Sequence, residues 1–218
     1  MNAFFVFAWE NLPALLDGLQ YTVIIWIVAV AFGFVLGLLL AVGRVYGNTP
    51  LRWLAIGYIE LIRGTPLLAQ MFIVYFGLPE VGLVLSPLVA AMVAIGLNTA
   101  AYQAEYFRGG IRAIRSGQMA AARAIGMTRG QAIRSIILPQ ALRIALPQWS
   151  NEVILELKYT SVAFAISVPE LMGQAKMIGA NTFLYFQIFV VAALIYLVLV
   201  TLVTAVLDQV EKRYALRH

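Results

Sequence analysis

Of the 218 residues in this chain, 62% are hydrophobic and 11% are charged, and the mean hydropathy is +0.89. This composition excludes an ordinary soluble domain and predicts an integral membrane protein. The net charge of +5 would favour a nucleic-acid partner in a soluble protein, but here the basic residues concentrate in particular loops. Cytoplasmic orientation of those loops explains them, so no nucleic-acid partner is expected. Cysteine is absent and the one histidine is the terminal His218, so no disulfide, thiol nucleophile or metal site is expected.

The first apolar segment predicts a membrane-spanning helix at about residues 19–43. Residues 19–42 carry no charge and are long enough to cross about 30 Å of hydrocarbon. Gly33 and Gly37 form a G-x-x-x-G pattern, which is more typical of packing within a chain than of a dimer contact. Residues 1–12 lack the basic region and cleavage site of a signal peptide, so we expect them to be retained as a short amphipathic helix on the outer surface.

A second span is predicted at about residues 53–78, and it contains two charges. Glu60 and Arg63 lie three residues apart, which is the spacing of an ion pair on one helix face. The Gly-Thr-Pro sequence at 64–66 predicts a break, because proline suits the first turn of a helix but disrupts its interior. The second piece would then point unpaired N–H groups into the protein, as transporter half-helices do toward anionic substrate groups. The alternative is an interfacial helix that ends at Arg63 and is followed by a short tilted span.

Residues 77–87 contain no lysine or arginine and are expected to form an outer loop, followed by a third span at about 86–104. Asn98 in this span is predicted to make helix-packing hydrogen bonds, although a ligand contact is also open. A basic cytoplasmic segment follows at about 105–150. Three of its arginines share one helix face and are expected to contact lipid phosphates and solvent: Arg108, Arg112 and Arg115.

The middle of the cytoplasmic segment predicts a helical hairpin. Residues 116–125 are rich in alanine and favour a helix, and Gly126 provides the positive φ that ends one. Thr128 is placed to cap a second helix, which is expected to stop before Pro139. Such a projecting element offers a grip to a soluble partner. The alternative is an amphipathic helix lying on lipid, since such helices are also rich in arginine.

A fourth span is predicted at about residues 152–170, and it contains ionisable side chains. Glu152, Glu156 and Thr160 are spaced by four and line one face, while Lys158 and Ser161 line another. Ionisable groups in a span are typical of an internal pathway or of an ion pair that holds helices together, and both readings stay open. Glu152, nearer the cytoplasmic end, is expected to be solvated. The candidate substrate-pathway residues are therefore Gly64, Thr65, Asn98, Glu152, Glu156, Lys158, Thr160 and Ser161.

Residues 169–181 are predicted to form a loop with Lys176, followed by an uncharged fifth span at about 183–207 and a basic tail. All 15 basic residues except Lys158 and Lys176 then fall on one side. This asymmetry predicts five spans, with the N-terminus outside and the C-terminus in the cytoplasm. None of the three lysines follows a glycine, so the chain has no phosphate-binding loop of the G-x-x-x-x-G-K-[ST] type and is not expected to be an enzyme that hydrolyses ATP.

Three separated motifs carry a resemblance to a known family: R-G-T-P-L-L-x-Q from Arg63, the hairpin segment at 117–139, and N-E-V-I-L-x-L-K-x-T-S from Asn151. Together they resemble the permeases of ABC importers for polar amino acids, and the third motif looks like that of members carrying histidine, arginine or opines. The resemblance implies an all-α, five-helix membrane permease bundle, a single domain with a cytoplasmic coupling helix, in a bacterial inner membrane. An ion-coupled secondary transporter or channel is the alternative.

The resemblance also implies partners. These are a second permease protomer (an identical or related chain), two ABC ATPase subunits, an extracytoplasmic solute-binding protein, membrane lipid and an amino-acid substrate. ATP and magnesium would bind the ATPase subunits, and this chain would bind no cofactor. Ala120 stands where the family usually has glutamate, so a contact of that carboxylate with the ATPase is absent here or is supplied by the partner permease. The residues that the resemblance assigns to ATPase coupling are Ala120, Ala121, Ala122, Arg123, Gly126, Leu138 and Pro139.

Overall fold

The computed structural model describes residues 3–214, which form helices and short connections without a β-strand. His218, the one histidine of the sequence, lies outside the described residues. The α-helices are α1 (Ala3–Tyr46), α2 (Thr49–Arg63), α3 (Leu67–Phe72), α4 (Pro87–Arg112), α5 (Gly117–Ala124), α6 (Arg129–Ala132), α7 (Leu138–Tyr159), α8 (Leu171–Thr182) and α9 (Tyr185–Tyr214). Two π-helical segments, Ile73–Gly77 and Ile133–Ile137, and two 3₁₀ segments, Leu78–Val81 and Thr160–Ile166, connect some of them.

The fourth helix, α4, is the centre of the bundle and packs on α1 at one side and on α7 at the other. The contact with α1 is close because Gly33 and Gly37 face it: a Cβ at Gly37 would lie 2.9 Å from the carbonyl oxygen of Ala100. The G-x-x-x-G pattern therefore serves packing within the chain, as predicted. A Cβ at Gly110 of α4 would lie still closer to the carbonyl oxygen of Ala141 on α7.

Indole side chains add two more links to this core. Trp26 on α1 donates a hydrogen bond to the carbonyl of Val153 on α7 at 2.8 Å. Trp149 on α7 donates to Gln103 Oε1 on α4 at 2.9 Å. Because both bonds lie between helices that are distant in sequence, they fix the positions of α1, α4 and α7 relative to one another.

Three helices in the described chain are long and apolar enough to cross a membrane, namely α1, α4 and α9. The bent pair formed by α2 and the helical segment from Leu67 to Val81 would make a fourth. The predicted fourth span, at about 152–170, covers the end of α7 and the 3₁₀ segment Thr160–Ile166. α7 carries Glu152, Glu156 and Lys158 and is not among the helices with sufficient apolar content. The count of five spans therefore stays a prediction.

One boundary prediction before the fourth span is wrong. The second helix of the hairpin does not stop before Pro139, because the wide turn of the π-helix Ile133–Ile137 precedes it. In a regular α-helix the proline ring would clash with the carbonyl of Ser135. The helical path consequently continues through α7, which ends at Tyr159 and passes into the 3₁₀ segment.

The predicted loop at residues 169–181 is also wrong, since most of it is helix α8. Glu170 makes this helix possible, because its carboxylate accepts hydrogen bonds from the backbone N–H groups of Met172 and Gly173 at 2.9 and 2.8 Å. The hydroxyl of Tyr196 on α9 also donates to Glu170 at 3.1 Å, and Thr22 of α1 accepts from the Leu171 N–H at 3.1 Å. Tertiary contacts with α1 and α9 thus position the start of α8.

Other helices extend beyond their predicted ends. Residues 3–12 are part of the continuous helix α1, which runs through Pro13, rather than a separate amphipathic helix. The third helix continues to Arg112, and α9 runs to Tyr214 through part of the basic tail. Both helices include basic residues in their last turn, so charge alone does not end a helix.

Candidate functional site

The predicted break in the second span is confirmed, and one glutamine side chain fills it. The helical path bends by 105° at residues 64–66. Gln70 Nε2 lies 2.7 Å from the carbonyl oxygen of Ile62, and 3.0 and 2.8 Å from the carbonyl and hydroxyl oxygens of Thr65. Asn98 Nδ2 on α4 donates to Gln70 Oε1 at 2.9 Å. These bonds replace backbone hydrogen bonds that are lost at the bend.

The candidate residues at the break therefore divide into two kinds. Gly64 and Thr65 are exposed, whereas Asn98 is buried and its amide nitrogen is used in packing α4 against the bend. Pro66 at the start of α3 supplies no side-chain cap for the following N–H groups. The bend thus presents backbone and a hydroxyl group at its surface, with a rigid amide network behind them.

The carboxylates of Glu152 and Glu156 are both buried on α7, with 4% and 1% of each residue exposed. Glu152 Oε2 accepts a hydrogen bond from the hydroxyl of Tyr106 on α4 at 2.8 Å. The expectation that Glu152 is solvated is wrong, because α4 packs over this face of α7. Neither carboxylate oxygen of Glu156 has a hydrogen-bond partner among the described residues.

An unpaired carboxylate in the interior is unfavourable unless a cationic or hydrogen-bonding group joins it. Lys158 does not serve Glu156, since the lysine is exposed on another face and no ion pair joins the two within the described chain. The arrangement leaves Glu156 as an acceptor site inside the bundle. This is the chemistry that a substrate ammonium or guanidinium group requires.

The hydroxyl groups of the fourth-span motif are used locally. Thr160 is buried and donates to the carbonyl of Leu157 at 2.7 Å, and Ser161 donates to the carbonyl of Lys158 at 2.7 Å. As predicted from the spacing, Thr160 shares the buried face of Glu156, while Lys158 lies on the exposed one. The hydroxyl groups of Thr160 and Ser161 thus donate to backbone carbonyls of their own helical segment.

At the end of the bundle that carries most arginines, Glu105 of α4 gathers three cations. Arg108 contacts it with two nitrogens, including Nη2 at 2.6 Å, Arg44 of α1 pairs with it, and Arg63 of α2 lies 3.7 Å away. The predicted pairing of Glu60 with Arg63 does not occur within the described chain, because Arg63 lies next to Glu105 of α4 instead. Glu60 lies instead 3.7 Å from Arg44.

This cluster also corrects the expectation for the arginines after the third span. Arg108 binds a carboxylate of its own helix rather than lipid or solvent alone, whereas Arg112 and Arg115 are exposed. Arg63 in addition lies over the ring of Tyr102, 5.3 Å from its centre. Three helices, α1, α2 and α4, are therefore joined by charge at one end of the bundle.

The predicted hairpin is formed by α5 and α6. Gly126 has φ of +88° and follows α5, and the N–H groups of Gly126 and Met127 donate to the carbonyls of Arg123 and Ala122 at 3.1 Å each. This is a Schellman turn, which requires the left-handed backbone that glycine adopts without strain. Thr128 then caps α6 through a reciprocal pair of hydrogen bonds with Gln131, as predicted.

The remaining residues of the coupling motif take distinct positions. Ala120 and Ala121 are exposed and Ala122 is buried within the hairpin, while the Arg123 guanidinium donates to the carbonyl of Met127 at 3.0 Å. Leu138 and Pro139 lie where the π-helix passes into α7. The motif thus covers a turn and a helix junction, with small side chains on its outer surface.

Sequence reasoning did not assign a role to Gln70, Tyr106 or Glu105. Gln70 stands in the R-G-T-P-L-L-x-Q motif, so its position in that run is a signal that was available. Tyr106 and Glu105 carry no local pattern, because their roles depend on contacts with α7 and with α1 and α2.

Comparison with known proteins decides the family. Residues 33–216 match the family described as "Binding-protein-dependent transport system inner membrane component". The chain belongs to this family. It is a multi-pass inner-membrane permease, a transport component rather than an enzyme, and relatives named amino-acid ABC transporter permeases match nearly its whole length.

The permease is 38% identical over 213 residues to the probable glutamine ABC transporter permease protein GlnM of Bacillus subtilis (strain 168), covering 98% of each chain. It is 37% identical over 214 residues to the arginine transport system permease protein ArtQ of the same organism, again with 98% of each chain covered. Its structure is similar to one titled "Crystal structure of an amino acid ABC transporter with histidines", with a TM-score of 0.88, 36% identity, and 98% and 100% of the two chains covered.

Proposed function

We propose that this permease moves polar, preferentially basic, amino acids to the cytoplasm as the membrane subunit of an ATP-driven importer. The observation that supports a basic substrate is Glu156, a carboxylate 1% exposed with both oxygens unpartnered among the described residues. A guanidinium or ammonium group is the natural partner for such a site. Its neighbour Glu152 is held in place by a hydrogen bond from Tyr106.

The transport complex in this proposal contains two permease protomers, two ABC ATPase subunits and an extracytoplasmic solute-binding protein. A relative named as a probable glutamine ABC transporter permease and one named as an arginine transport system permease support such an assembly. The distribution of lysine and arginine supports an N-terminus outside and a C-terminus in the cytoplasm, with the α5–α6 hairpin on the cytoplasmic side. ATP and magnesium are held by the ATPase subunits.

The hairpin serves as the lever by which ATP binding moves the bundle. The helical path that starts at α6 continues through the π-helix and α7 to Tyr159, so it joins the hairpin directly to Glu152 and Glu156. Displacement of the hairpin by closing ATPase subunits is therefore transmitted to the carboxylates through backbone rather than through a flexible loop. Such coupling requires that the ATPase dimer contacts the inward-open and outward-open states differently.

The test is uptake of labelled arginine and glutamine by proteoliposomes that contain the permease, its ATPase and its binding protein. We expect ATP-dependent uptake from the complete complex and none from the permease alone. Uptake by the permease alone, driven by an ion gradient, would identify a secondary transporter or channel. The absence of flux in every combination would identify a signalling or assembly subunit. Either result overturns the proposal.

A further inference from the structure

The turn of the α5–α6 hairpin presents one apolar side chain to its surroundings. Ile125 is 77% exposed, and between residues 90 and 154 of the described chain it is the only large hydrophobic residue that is exposed. Met119 and Ile136, its apolar neighbours in the hairpin region, pack instead against the cluster around Phe107. The exposure of Ile125 is therefore specific to this position.

The backbone holds Ile125 rigidly at the tip. Ile125 is the C-cap residue directly after α5, and the Schellman turn through Gly126 and Met127 follows it. The Arg123 guanidinium bonds to the carbonyl of Met127 across the same turn. A backbone held in place before binding loses little conformational entropy when a partner covers the tip.

The charges around Ile125 define what covers it. Residues 106–151 contain seven arginines and no aspartate or glutamate, and Arg123 and Arg129 flank the tip. The hairpin, residues 117–132, contains no aspartate or glutamate and so offers no carboxylate to a basic partner. A protein surface complementary to it combines an apolar pocket with acidic side chains at its edge.

Lipid fits the tip less well than protein does. α5 has eight residues, and apart from Met119 its apolar side chains are alanines. An interfacial helix needs several large apolar residues on one face, such as tryptophan, phenylalanine or leucine. Small exposed residues beside a single isoleucine favour a close contact with a shaped protein surface.

We propose that Ile125 is the apolar anchor of the contact between this permease and its ATPase, and that it enters a pocket with an acidic rim. This inference rests on the proposed function, in which an ABC ATPase binds the hairpin. It identifies which side chain carries the affinity and which chemistry the ATPase presents to it.

The experiment measures binding of the purified ATPase subunit to the permease in nanodiscs. We expect Ile125→Ser to weaken the dissociation constant at least about tenfold, and Ile125→Leu to stay within about threefold of wild type. Ile73→Ser is the matched control, because Ile73 is 68% exposed but lies on the π-helix after the bend, away from the hairpin. Arg123→Glu should weaken binding, and the wild-type affinity should fall as salt is raised.

Wild-type affinity in Ile125→Ser, or affinity independent of salt and of Arg123→Glu, would overturn the inference. If the wild-type permease binds no ATPase, the proposed function itself fails. Because the chain lacks cysteine, Ile125→Cys provides a single labelling position for a fluorophore. If spin-labelled lipid quenches the fluorophore and the quenching persists when ATPase is added, lipid occupies the tip and the inference is overturned. If addition of ATPase abolishes this quenching, the inference is supported.

Discussion

At Gly37 the absence of a side chain allows α1 and α4 to pack closely. A Cβ at this position would lie 2.9 Å from the Ala100 carbonyl oxygen, 3.0 Å from Gln103 Cβ and 3.1 Å from the Ala104 nitrogen. Two of these atoms belong to the α4 backbone and cannot be displaced without moving the helix. The glycine is therefore required for space and not for its backbone angles.

We predict that Gly37→Val destabilises the permease by about 1–3 kcal/mol, because α1 must move away from α4. Gly109→Ala in α4 is the matched control: a Cβ there meets nothing within 4 Å, so the change should be about 1 kcal/mol or less in either direction. Thermal unfolding in detergent measures both. Equal stability of the two variants would contradict the packing role of Gly37.

Glu156 is the residue at which charge, rather than space, is decisive. We predict that Glu156→Gln keeps the side-chain volume but selectively weakens uptake of arginine relative to glutamine, about tenfold or more, since it removes the charge that pairs with a cationic substrate. The measurement is competitive uptake of the two labelled amino acids in proteoliposomes. Equal loss for both substrates would favour a packing role. Glu80→Gln, at an exposed position, serves as the control.

The α5–α6 hairpin is the element through which we expect motion of the ATPase subunits to reach the bundle. Its geometry depends on two local devices, the left-handed Gly126 and the capping box of Thr128 and Gln131. A Cβ at Gly126 would meet nothing within 4 Å, so its requirement is conformational. A side chain there strains the turn without disturbing the bundle core.

We predict that Gly126→Val leaves membrane insertion intact but impairs uptake and uncouples ATP hydrolysis from it. The left-handed conformation costs a residue with a Cβ roughly 1–2 kcal/mol, and the turn is expected to open. Gly130→Ala is the control, because Gly130 lies in α6 with open space around it. Uptake and ATPase activity are measured on the same proteoliposomes. Wild-type transport by Gly126→Val would refute the lever role.

At the scale of the whole molecule, charge at one end of the bundle joins helices that lie far apart in sequence. Glu105 contacts arginines of α1, α2 and α4, and its side chain is only 15% exposed. Removing its charge would leave three cations close together and without their shared partner. The same cluster reaches the start of the bend at residues 64–66, since Arg63 is the last residue of α2.

We predict that Glu105→Gln destabilises the permease by about 1–3 kcal/mol, because partly buried cations lose their counter-charge. Glu60→Gln should cost less than about 1 kcal/mol, since that carboxylate is 63% exposed and lies 3.7 Å from Arg44. Thermal unfolding at low and high salt distinguishes the two. A loss for Glu105→Gln no larger than that for Glu60→Gln would show that the cluster does not stabilise the bundle.

The sequence alone determined the features that depend on hydrophobicity and on local backbone preference. Apolar composition required a membrane protein, and the helix break at 64–66, the turn at Gly126 and the cap at Thr128 followed from the residues at those positions. The spacing of Glu152 and Glu156 also placed them correctly on one face. Each of these depends on neighbours within about one helical turn, which the sequence displays directly.

Only the tertiary structure decided which side chains meet across the bundle. It turned residues 171–182 into a helix through the cap of Glu170, and it carried the helix past Pro139. It gave Glu105 three arginines, buried Glu152 beneath Tyr106, and left Glu156 without a partner among the described residues. Such outcomes depend on distances between residues far apart in the chain, and helix packing sets these distances while local sequence does not.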